Sequence, residues 1–224
     1  PPIDHPQKPE GRTTWHNSNE FRSYNLWGKD PNVDADFSDE IRRHYAACVS
    51  YADAQVGKVM AELKRTGADK NTIVILWGDH GWHLGEHAIW GKHSLFEESL
   101  NSPLIIYYPG MKNMGLKSNA IVETLDIFPT LCELAGIEMP GFVKGRSLKD
   151  ILANPEKKGH SAIAYTENAA TIRTDQYRLI LHKDGFTELY DHTTTYGETL
   201  NIASQYPDLV QQLKQELQIK LQQH

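Results

Sequence analysis

The sequence predicts an α/β unit over residues 1–159, followed by a small α+β subdomain over residues 160–224. In the first unit, a long amphipathic helix precedes a continuous apolar run, which is typical of a strand buried on both faces of an α/β sheet. From about residue 161 the pattern changes to short alternating segments separated by turns, which predicts an antiparallel sheet. These two patterns define the predicted fold class.

The first helix follows an irregular segment. Residues 1–38 combine Pro, Gly, Asn and Asp with aromatic residues from Trp15 to Trp27, which indicates a segment that lies across the body of the protein. Ser38 stands before two acidic residues, and a capping hydroxyl with acids in the first turn predicts a helix start. Apolar residues three or four positions apart continue to Gly67, so one face of this helix is expected to be buried.

Two strands and two further helices complete the predicted first unit. The apolar runs Thr72–Trp77 and Pro103–Tyr108 predict strands of an α/β sheet. A helix is predicted over Asp126–Ala135, because proline is tolerated in its first turn and Gly136 provides a stop. A short helical piece is expected around Leu148–Leu152.

The predicted subdomain contains four short strands and a covering helix. The strands are expected at Ser161–Thr166, Ala170–Thr174, Tyr177–His182 and Glu188–Asp191. Turn residues lie between them, as in a run of β-hairpins. Pro207–Gln223 carries leucine and valine at helical spacing, so it is predicted to be an amphipathic helix that covers the sheet.

Composition and charge exclude several classes of protein. The 224 residues include 23 Lys plus Arg and 29 Asp plus Glu, and the net charge of −6 excludes a dedicated nucleic-acid binder with a concentrated basic surface. No apolar run approaches the roughly 18 residues that a membrane span needs. Two cysteines cannot form a disulfide framework, so Cys48 and Cys132 are expected to be buried small apolar residues.

The chemistry of the sequence is concentrated in the loop Trp77–His93, which begins where the first predicted strand ends. Ligand sites in open α/β sheets lie beyond the carboxyl ends of strands. Five metal-capable side chains fall within nine residues of this loop: Asp79, His80, His83, Glu86 and His87. Carboxylate oxygen and imidazole nitrogen suit a divalent cation, and Lys92 supplies a point charge for an anionic substrate group.

The residues alone leave a structural interpretation open. An Asp-His pair in a loop is more often a hydrogen-bonded turn than a pair of ligands. His83 and His87 could satisfy backbone groups of the loop, and their spacing lacks the His-Glu-x-x-His order of zinc proteases. Trp82 and Trp90 are more often packing residues than surfaces on which a ligand stacks.

Three collinear segments closely resemble the second half of the sulfatase family, and within it iduronate-2-sulfatase and its bacterial relatives. These segments are Thr72–His87, Trp90–Ser99 and Pro103–Gly110. Four further segments resemble the same family: Tyr45–Gly57, Glu123–Leu131, Ile172–Arg178 and Glu188–Asp191. The resemblance covers about residues 38–205, and several independent motifs agree.

The resemblance implies an alkaline-phosphatase-like α/β fold that hydrolyses sulfate esters with a bound calcium ion. It makes Asp79 and His80 two of the calcium ligands. It makes Lys92 the catalytic residue that holds the sulfate and its bridging oxygen as the S–O bond breaks. It places Trp82 and His83 at the border of a sugar pocket.

The family's nucleophile is not found in this sequence. That nucleophile is a formylglycine made from Cys or Ser in a Cys/Ser-x-Pro-x-Arg motif, and neither Cys48 nor Cys132 stands in one. The Asp-Asp pair that completes the family's calcium site is absent as well. We therefore expect a C-terminal half that is inactive alone, with apolar faces left uncovered, and an N-terminal half that is a second chain or a missing segment.

The expected substrate is a sulfated carbohydrate, derived from a glycosaminoglycan. Phosphate or phosphonate ester hydrolysis is an alternative, because the same superfamily fold handles both kinds of tetrahedral anion. A non-catalytic carbohydrate-binding fragment is a third hypothesis. By resemblance alone, such an enzyme is expected in a lysosome, in a periplasm or outside the cell.

Overall fold

A computed structural model describes residues 2–9 and 20–223; Trp15, in the predicted surface segment, lies outside these residues. Helix α1 spans Ala35–Thr66 and begins four residues before the predicted start, since its cap is Asp34 and the predicted cap is Ser38. The Asp34 carboxylate accepts a hydrogen bond from the Phe37 N–H at 2.9 Å. The helix ends at Gly67, whose φ of 74° is left-handed.

The two predicted strands pair with each other in antiparallel orientation. The long strands are β1, Val74–Trp77, and β4, Leu104–Tyr107. Between them, the two-residue strands β2 (His83–Leu84) and β3 (Trp90–Gly91) pair with each other. The prediction that β1 is buried on both faces is wrong for this chain, since Trp77 is 48% exposed. No other described strand pairs with β1 or β4, and this exposure agrees with the expected uncovered apolar faces.

Most of α1 is exposed too. Its buried residues within the described part of the chain are Phe37 and Ser38, while apolar side chains such as Val49 and Val59 face solvent. The expectation that Cys48 is buried is therefore wrong, whereas Cys132 is buried as predicted.

Three short helices lie between the long strands and the C-terminal sheet. They are α2 (Glu97–Leu100), α3 (Ile127–Ala135) and α4 (Lys149–Ala153). Helix α3 confirms the predicted helix and ends at Gly136 with a left-handed φ of 68°. The turn before it is held by Asp126, whose carboxylate accepts hydrogen bonds from two backbone N–H groups.

The predicted antiparallel sheet with its covering helix is confirmed. Its four strands lie in chain order: β5 (Ala162–Tyr165), β6 (Ala169–Arg173), β7 (Tyr177–His182) and β8 (Thr187–Asp191). Helix α5, Pro207–Gln223, packs on one face through Leu213 and Leu217, which meet Ile172, Leu179 and Leu189 of the sheet.

The other face of this sheet supports the chemically rich loop. Ile180 and Tyr190 form a second buried cluster with Ile89, Leu95 and Phe96, which follow the loop's metal-capable residues. The sheet thus serves as a rigid base that fixes the loop from below. Within the described ranges, no helix combines the length and apolar character needed to cross a bilayer.

Candidate active site

The loop after β1 is fixed by backbone contacts with the segment before β4. Gly78 donates its N–H to the Pro103 carbonyl at 2.9 Å, and Gly81 donates to the Ser99 carbonyl at 2.8 Å. A Cβ atom at Gly81 would lie 1.9 Å from the Glu98 carbonyl oxygen, so a side chain cannot be accommodated there. This close approach sets the direction in which the following residues leave the sheet.

Asp79 and His80 lie beyond the carboxyl end of β1 with accessible side chains. The Asp79 side chain is 78% exposed and the His80 side chain 35%, and His80 Nε2 lies 3.7 Å from Asp79 Oδ2. His80 Nδ1 lies 2.7 Å from the Gly81 carbonyl, so Nδ1 carries the hydrogen and Nε2 keeps its lone pair. One carboxylate oxygen and one imidazole nitrogen at this spacing fit two ligands of a divalent cation, although calcium needs six to eight ligand atoms.

Lys92 and His80 each lie near the indole ring of Trp82. The Lys92 ammonium is 5.9 Å from the centroid of the Trp82 ring, within the range of a cation–π contact. The His80 and Trp82 ring centroids are 6.5 Å apart. Trp82 therefore connects one predicted metal ligand with the predicted catalytic cation.

The Glu20 carboxylate forms an ion pair with the Lys92 ammonium in this structure. Glu20 Oε2 lies 3.4 Å from Lys92 Nζ, and each side chain is 29% exposed. The Lys92 side chain is thus partly exposed, and the Glu20 carboxylate compensates its charge.

His83 is placed differently from the expectation that it borders a sugar pocket. It is fully buried, with Nε2 2.8 Å from Ser94 Oγ and Nδ1 3.2 Å from the Glu86 carbonyl. Burial lowers the pKa of the imidazole to about 4, against weaker opposing effects of the Glu86 carbonyl and the Glu198 charge. This neutral ring supports the loop from inside, and its contact with a sugar stays a prediction.

Trp90 confirms the packing interpretation. It is 6% exposed, and its Nε1–H donates to Asn32 Oδ1 at 2.8 Å.

The backbone before Trp90 is strained, because His87 and Ala88 both have a φ of 58°, a left-handed value that non-glycine residues rarely adopt. This turn directs the His87 ring into the interior.

An open cleft of about 370 Å³ adjoins the end of β1. Asp79 and His80 line it, together with Asn101, Arg173 and Arg178, whereas the other predicted site residues, Lys92, Trp82 and His83, do not. The structure thus brings the two predicted metal ligands into the cleft but does not place Lys92 in its lining.

The two arginines in the cleft wall belong to a buried ionic network that sequence reasoning missed. Arg178 is 2% exposed and forms ion pairs with Glu97 and Glu198, while Arg173 Nε lies 3.2 Å from Glu97 Oε2. Burial alone would raise the pKa of the Glu198 carboxyl, but Arg178 and then His192 lower it to about 2. Both guanidinium groups are committed to carboxylates, so the network joins α2 to the C-terminal sheet.

Two family models match the chain. One, described as Sulfatase, matches residues 5–137, and the other, described as N-sulphoglucosamine sulphohydrolase, C-terminal, matches residues 85–223. A protein named Sulfatase from Formosa agariphila is 36% identical over 169 residues, covering 75% of this chain and 33% of the relative. Arylsulfatase K from Danio rerio is 34% identical over 200 residues, covering 81% of this chain and 38% of the relative.

Solved structures of similar proteins superpose on most of this chain. The structure of BT4656 in complex with its substrate D-glucosamine-2-N,6-O-disulfate superposes with a TM-score of 0.78 at 30% identity, over 91% of this chain and 44% of that one. The phosphonate monoester hydrolase SpPMH from Silicibacter pomeroyi gives a TM-score of 0.76 at 25% identity, over 92% of this chain and 44% of that one. The chain therefore spans one third to less than one half of the length of these relatives.

Proposed function

Because the chain belongs to the sulfatase family, we propose that it forms part of a sulfuric ester hydrolase that removes sulfate from sulfated sugars. The observation that carries this proposal is the position of Trp82, whose ring lies near both the predicted metal ligand His80 and the predicted catalytic Lys92. A metal ligand and an ammonium group that both neighbour one indole ring suit the binding of a sulfate anion.

In this proposal Asp79 and His80 hold part of a calcium site. Their exposed donor atoms, 3.7 Å apart at the rim of the cleft, support this assignment. Calcium, when bound, would supply positive charge next to the sulfate oxygens. The remaining ligands, and the formylglycine nucleophile, would come from an N-terminal half that is a second chain or another segment of the enzyme.

Lys92 is proposed to bind the sulfate group and its bridging oxygen. Hydrolysis cleaves the S–O bond, so negative charge develops on the bridging oxygen, and a fixed ammonium stabilises it more in the transition state than in the ground state. Glu20 Oε2 lies 3.4 Å from the Lys92 ammonium, so the substrate would have to displace this carboxylate. Trp82 would border the sugar, and His83 would hold the loop from below.

The exposed faces of β1, β4 and α1 support the proposal that the chain is inactive alone. Leu76 and Trp77 on β1, Ile105 on β4 and Val59 on α1 expose large apolar surfaces. An N-terminal half would cover these faces and complete the site. The natural substrate is proposed to be a glycosaminoglycan-derived sulfated sugar, such as an iduronate 2-sulfate or a glucosamine sulfate, and the compartment to be lysosomal, periplasmic or extracellular.

Phosphonate or phosphate ester hydrolysis is the second candidate function. It is favoured by the likeness to the phosphonate monoester hydrolase of Silicibacter pomeroyi. A phosphonate monoester presents the same tetrahedral anion to Lys92.

An assay of paired substrates separates the two candidates. The enzyme that contains this chain is purified from its native source, and kcat/KM is measured with calcium on a sulfated disaccharide and on a phosphonate monoester. We expect a higher kcat/KM for the sulfate ester, and loss of that activity when a chelator removes calcium. Preference for the phosphonate ester would assign the second candidate, and no turnover of either ester would contradict both and favour a non-catalytic carbohydrate-binding role.

A further inference from the structure

His87 is a buried histidine whose ring has no hydrogen-bond partner. Its side chain is 1% exposed, and neither Nδ1 nor Nε2 is satisfied; Glu98 Oε2 beside it is also buried and unpartnered. Among the described residues, four buried side-chain polar atoms lack a hydrogen bond, and three of them lie at this one place. Leaving buried polar atoms without hydrogen bonds is destabilising, so three of them in one place require an explanation.

The spacing of these atoms fits a shared ion better than a direct contact. His87 Nδ1 lies 3.7 Å from Glu98 Oε2, which is too long for a hydrogen bond. Two tetrahedral ligands at about 2.0–2.1 Å from one zinc ion lie about 3.4 Å apart. One ring nitrogen of His83 completes the group, because one ligand atom from each of the three residues lies within 4.8 Å of the other two.

The histidines already have the form that binds a metal. The Glu86 carbonyl can only accept a hydrogen bond, so His83 Nδ1 carries the hydrogen. A bond of this kind from the second ring nitrogen commonly orients a metal-binding imidazole. Nε2, which keeps its lone pair, lies 2.8 Å from the neutral hydroxyl of Ser94, and a metal ion would replace this one contact. Burial lowers the pKa of both His83 and His87 to about 4, so both rings are neutral near pH 7.

The buried Glu98 carboxylate would be stabilised by a cation. Burial raises the pKa of its carboxyl to about 7, since the nearby Glu198, Glu86 and Glu97 charges add to the effect of burial. A divalent ion would restore the charged form of the carboxylate and satisfy the unpartnered oxygen.

We propose that His83, His87 and Glu98 bind a divalent transition-metal ion of the zinc type, at a site separate from Asp79 and His80. Two imidazoles and one carboxylate are a common zinc ligand set. The ion would join the loop that carries Lys92 to helix α2, which contains Glu98. It would therefore hold the loop in place.

A second group of metal-capable residues, Glu97, His192 and Glu198, does not carry the same inference. The guanidinium of Arg178 already pairs with both of these carboxylates. His192 is also bonded, with Nε2 3.0 Å from Glu198 Oε1. This group is a satisfied ionic network, and a cation would have to displace Arg178.

Cobalt(II) and zinc(II) serve as the probes for the proposed site. The untagged 224-residue chain is stripped of metal and titrated with cobalt(II), whose visible absorption reports tetrahedral coordination, and the cobalt is then displaced by zinc(II). We expect one equivalent of cobalt to bind and zinc to raise the melting temperature. His87→Gln is expected to weaken binding by at least about 100-fold, because loss of even an outer contact of a metal site costs 10–100-fold.

Two controls keep the test independent of folding and of the calcium ligands. His44→Gln removes an exposed histidine whose Nε2 lies 3.8 Å from Glu40, and it should bind cobalt like the unaltered chain. Asp79→Asn should also leave the cobalt spectrum unchanged. Glu98→Gln keeps the shape of its side chain, so it tests the site even if His87→Gln misfolds, as monitored by circular dichroism.

Three results would overturn the proposal. One is the absence of stoichiometric cobalt binding by the folded chain. The second is binding that His87→Gln and Glu98→Gln leave unchanged. The third is loss of the cobalt spectrum in Asp79→Asn, which would move the ion to the proposed calcium site.

Discussion

At the scale of single residues, Asp79 and Lys92 carry the chemistry of the proposed site in different ways. Asp79 is open to solvent, while Lys92 is one third exposed and paired with Glu20. Loss of the charged oxygen of Asp79 should lower the affinity of the site for calcium. Loss of the Lys92 ammonium should instead reduce stabilisation of the transition state. The two roles therefore make different kinetic predictions.

Asp79→Asn is expected to raise the calcium concentration that half-maximal activity requires, by about tenfold or more. The amide keeps one oxygen but loses the charge that favours a hard cation. Activity is measured against free calcium in the native enzyme. Glu167→Gln, an exposed carboxylate in the turn between β5 and β6, is the control and should leave the calcium curve unchanged. An unchanged curve for Asp79→Asn would remove Asp79 from the ligand set.

Residue roles could be predicted from the sequence only where the side chain is exposed at the end of a strand. The position of Asp79 and His80 beyond β1 follows from the apolar run that precedes them. The burial of His83 could not be predicted, because it depends on contacts with Ser94 and the Glu86 carbonyl that only the folded loop brings together. Nothing in the residue types of the loop signals those contacts.

At the scale of the loop, Gly81 is the position on which the geometry depends. Its backbone lies so close to the Glu98 carbonyl that a Cβ atom would be 1.9 Å away. Gly81→Ala should therefore lower the free energy of unfolding by about 1–3 kcal/mol and displace the residues that follow. Urea denaturation measures the change.

The matched control for this substitution is Gly57→Ala. Gly57 lies in α1 with open space where its Cβ would be, so alanine should stabilise the chain by about 0.5–1 kcal/mol through helix propensity. Equal stability of Gly81→Ala and the unaltered chain would contradict the close packing of the loop on α2.

The turn before α3 predicts a pH dependence. Burial alone would raise the pKa of Asp126, but the hydrogen bond from His160 and two backbone N–H groups lower it below 3.8. The hydrogen bond to Asp126 raises the pKa of His160 above 6.5, against the opposing effect of burial. The ion pair, 2.7 Å between His160 Nε2 and Asp126 Oδ2, is thus charged on both sides between these values.

The two shifts have opposite consequences for stability. The His160 contribution is complete below pH 6.5 and is lost as pH rises through its raised folded pKa. The Asp126 contribution is complete above pH 3.8 and is lost as pH falls through its lowered folded pKa. His160→Gln should remove the alkaline decline in melting temperature, whereas the exposed His44→Gln should keep it. An identical decline in both variants would refute this assignment.

At the scale of elements, the sequence predicted the long strands, α3, α5 and the C-terminal sheet, because each has a sustained period or apolar run. The Ser-Asp-Glu pattern predicts a cap at Ser38, but Asp34, an equally good capping residue, provides the cap of α1. Strands β2 and β3 have two residues each, too short for any alternation. The exposure of Trp77 could not be read from β1 itself, since burial depends on what else packs against the strand.

At the scale of the whole molecule, Arg178 connects the loop region to the C-terminal sheet. It lies on β7 and pairs with Glu97 on α2 and with Glu198 beyond β8. Sequence periodicity predicts neither pair, because the partners are 81 and 20 positions away. The network makes the two predicted units share one buried ionic centre.

Glu198→Ala should lower the free energy of unfolding by about 3–5 kcal/mol, because it leaves the buried Arg178 with one partner fewer. Chemical denaturation of the 224-residue chain measures this loss. Glu167→Ala, which removes an exposed carboxylate, should change stability by less than about 0.5 kcal/mol. Similar stabilities of the two variants would show that the network contributes little to the fold.

We propose above all that the loop after β1 binds a sulfate ester and stabilises its transition state through Lys92. The most direct test is kcat/KM of the native enzyme on a sulfated disaccharide after Lys92→Ala, with the exposed Lys183→Ala as control. We expect Lys92→Ala to lower kcat/KM by at least about 100-fold with an unchanged melting temperature, because a partly exposed lysine contributes little to stability. Near-unaltered turnover in a folded Lys92→Ala enzyme would contradict the claim.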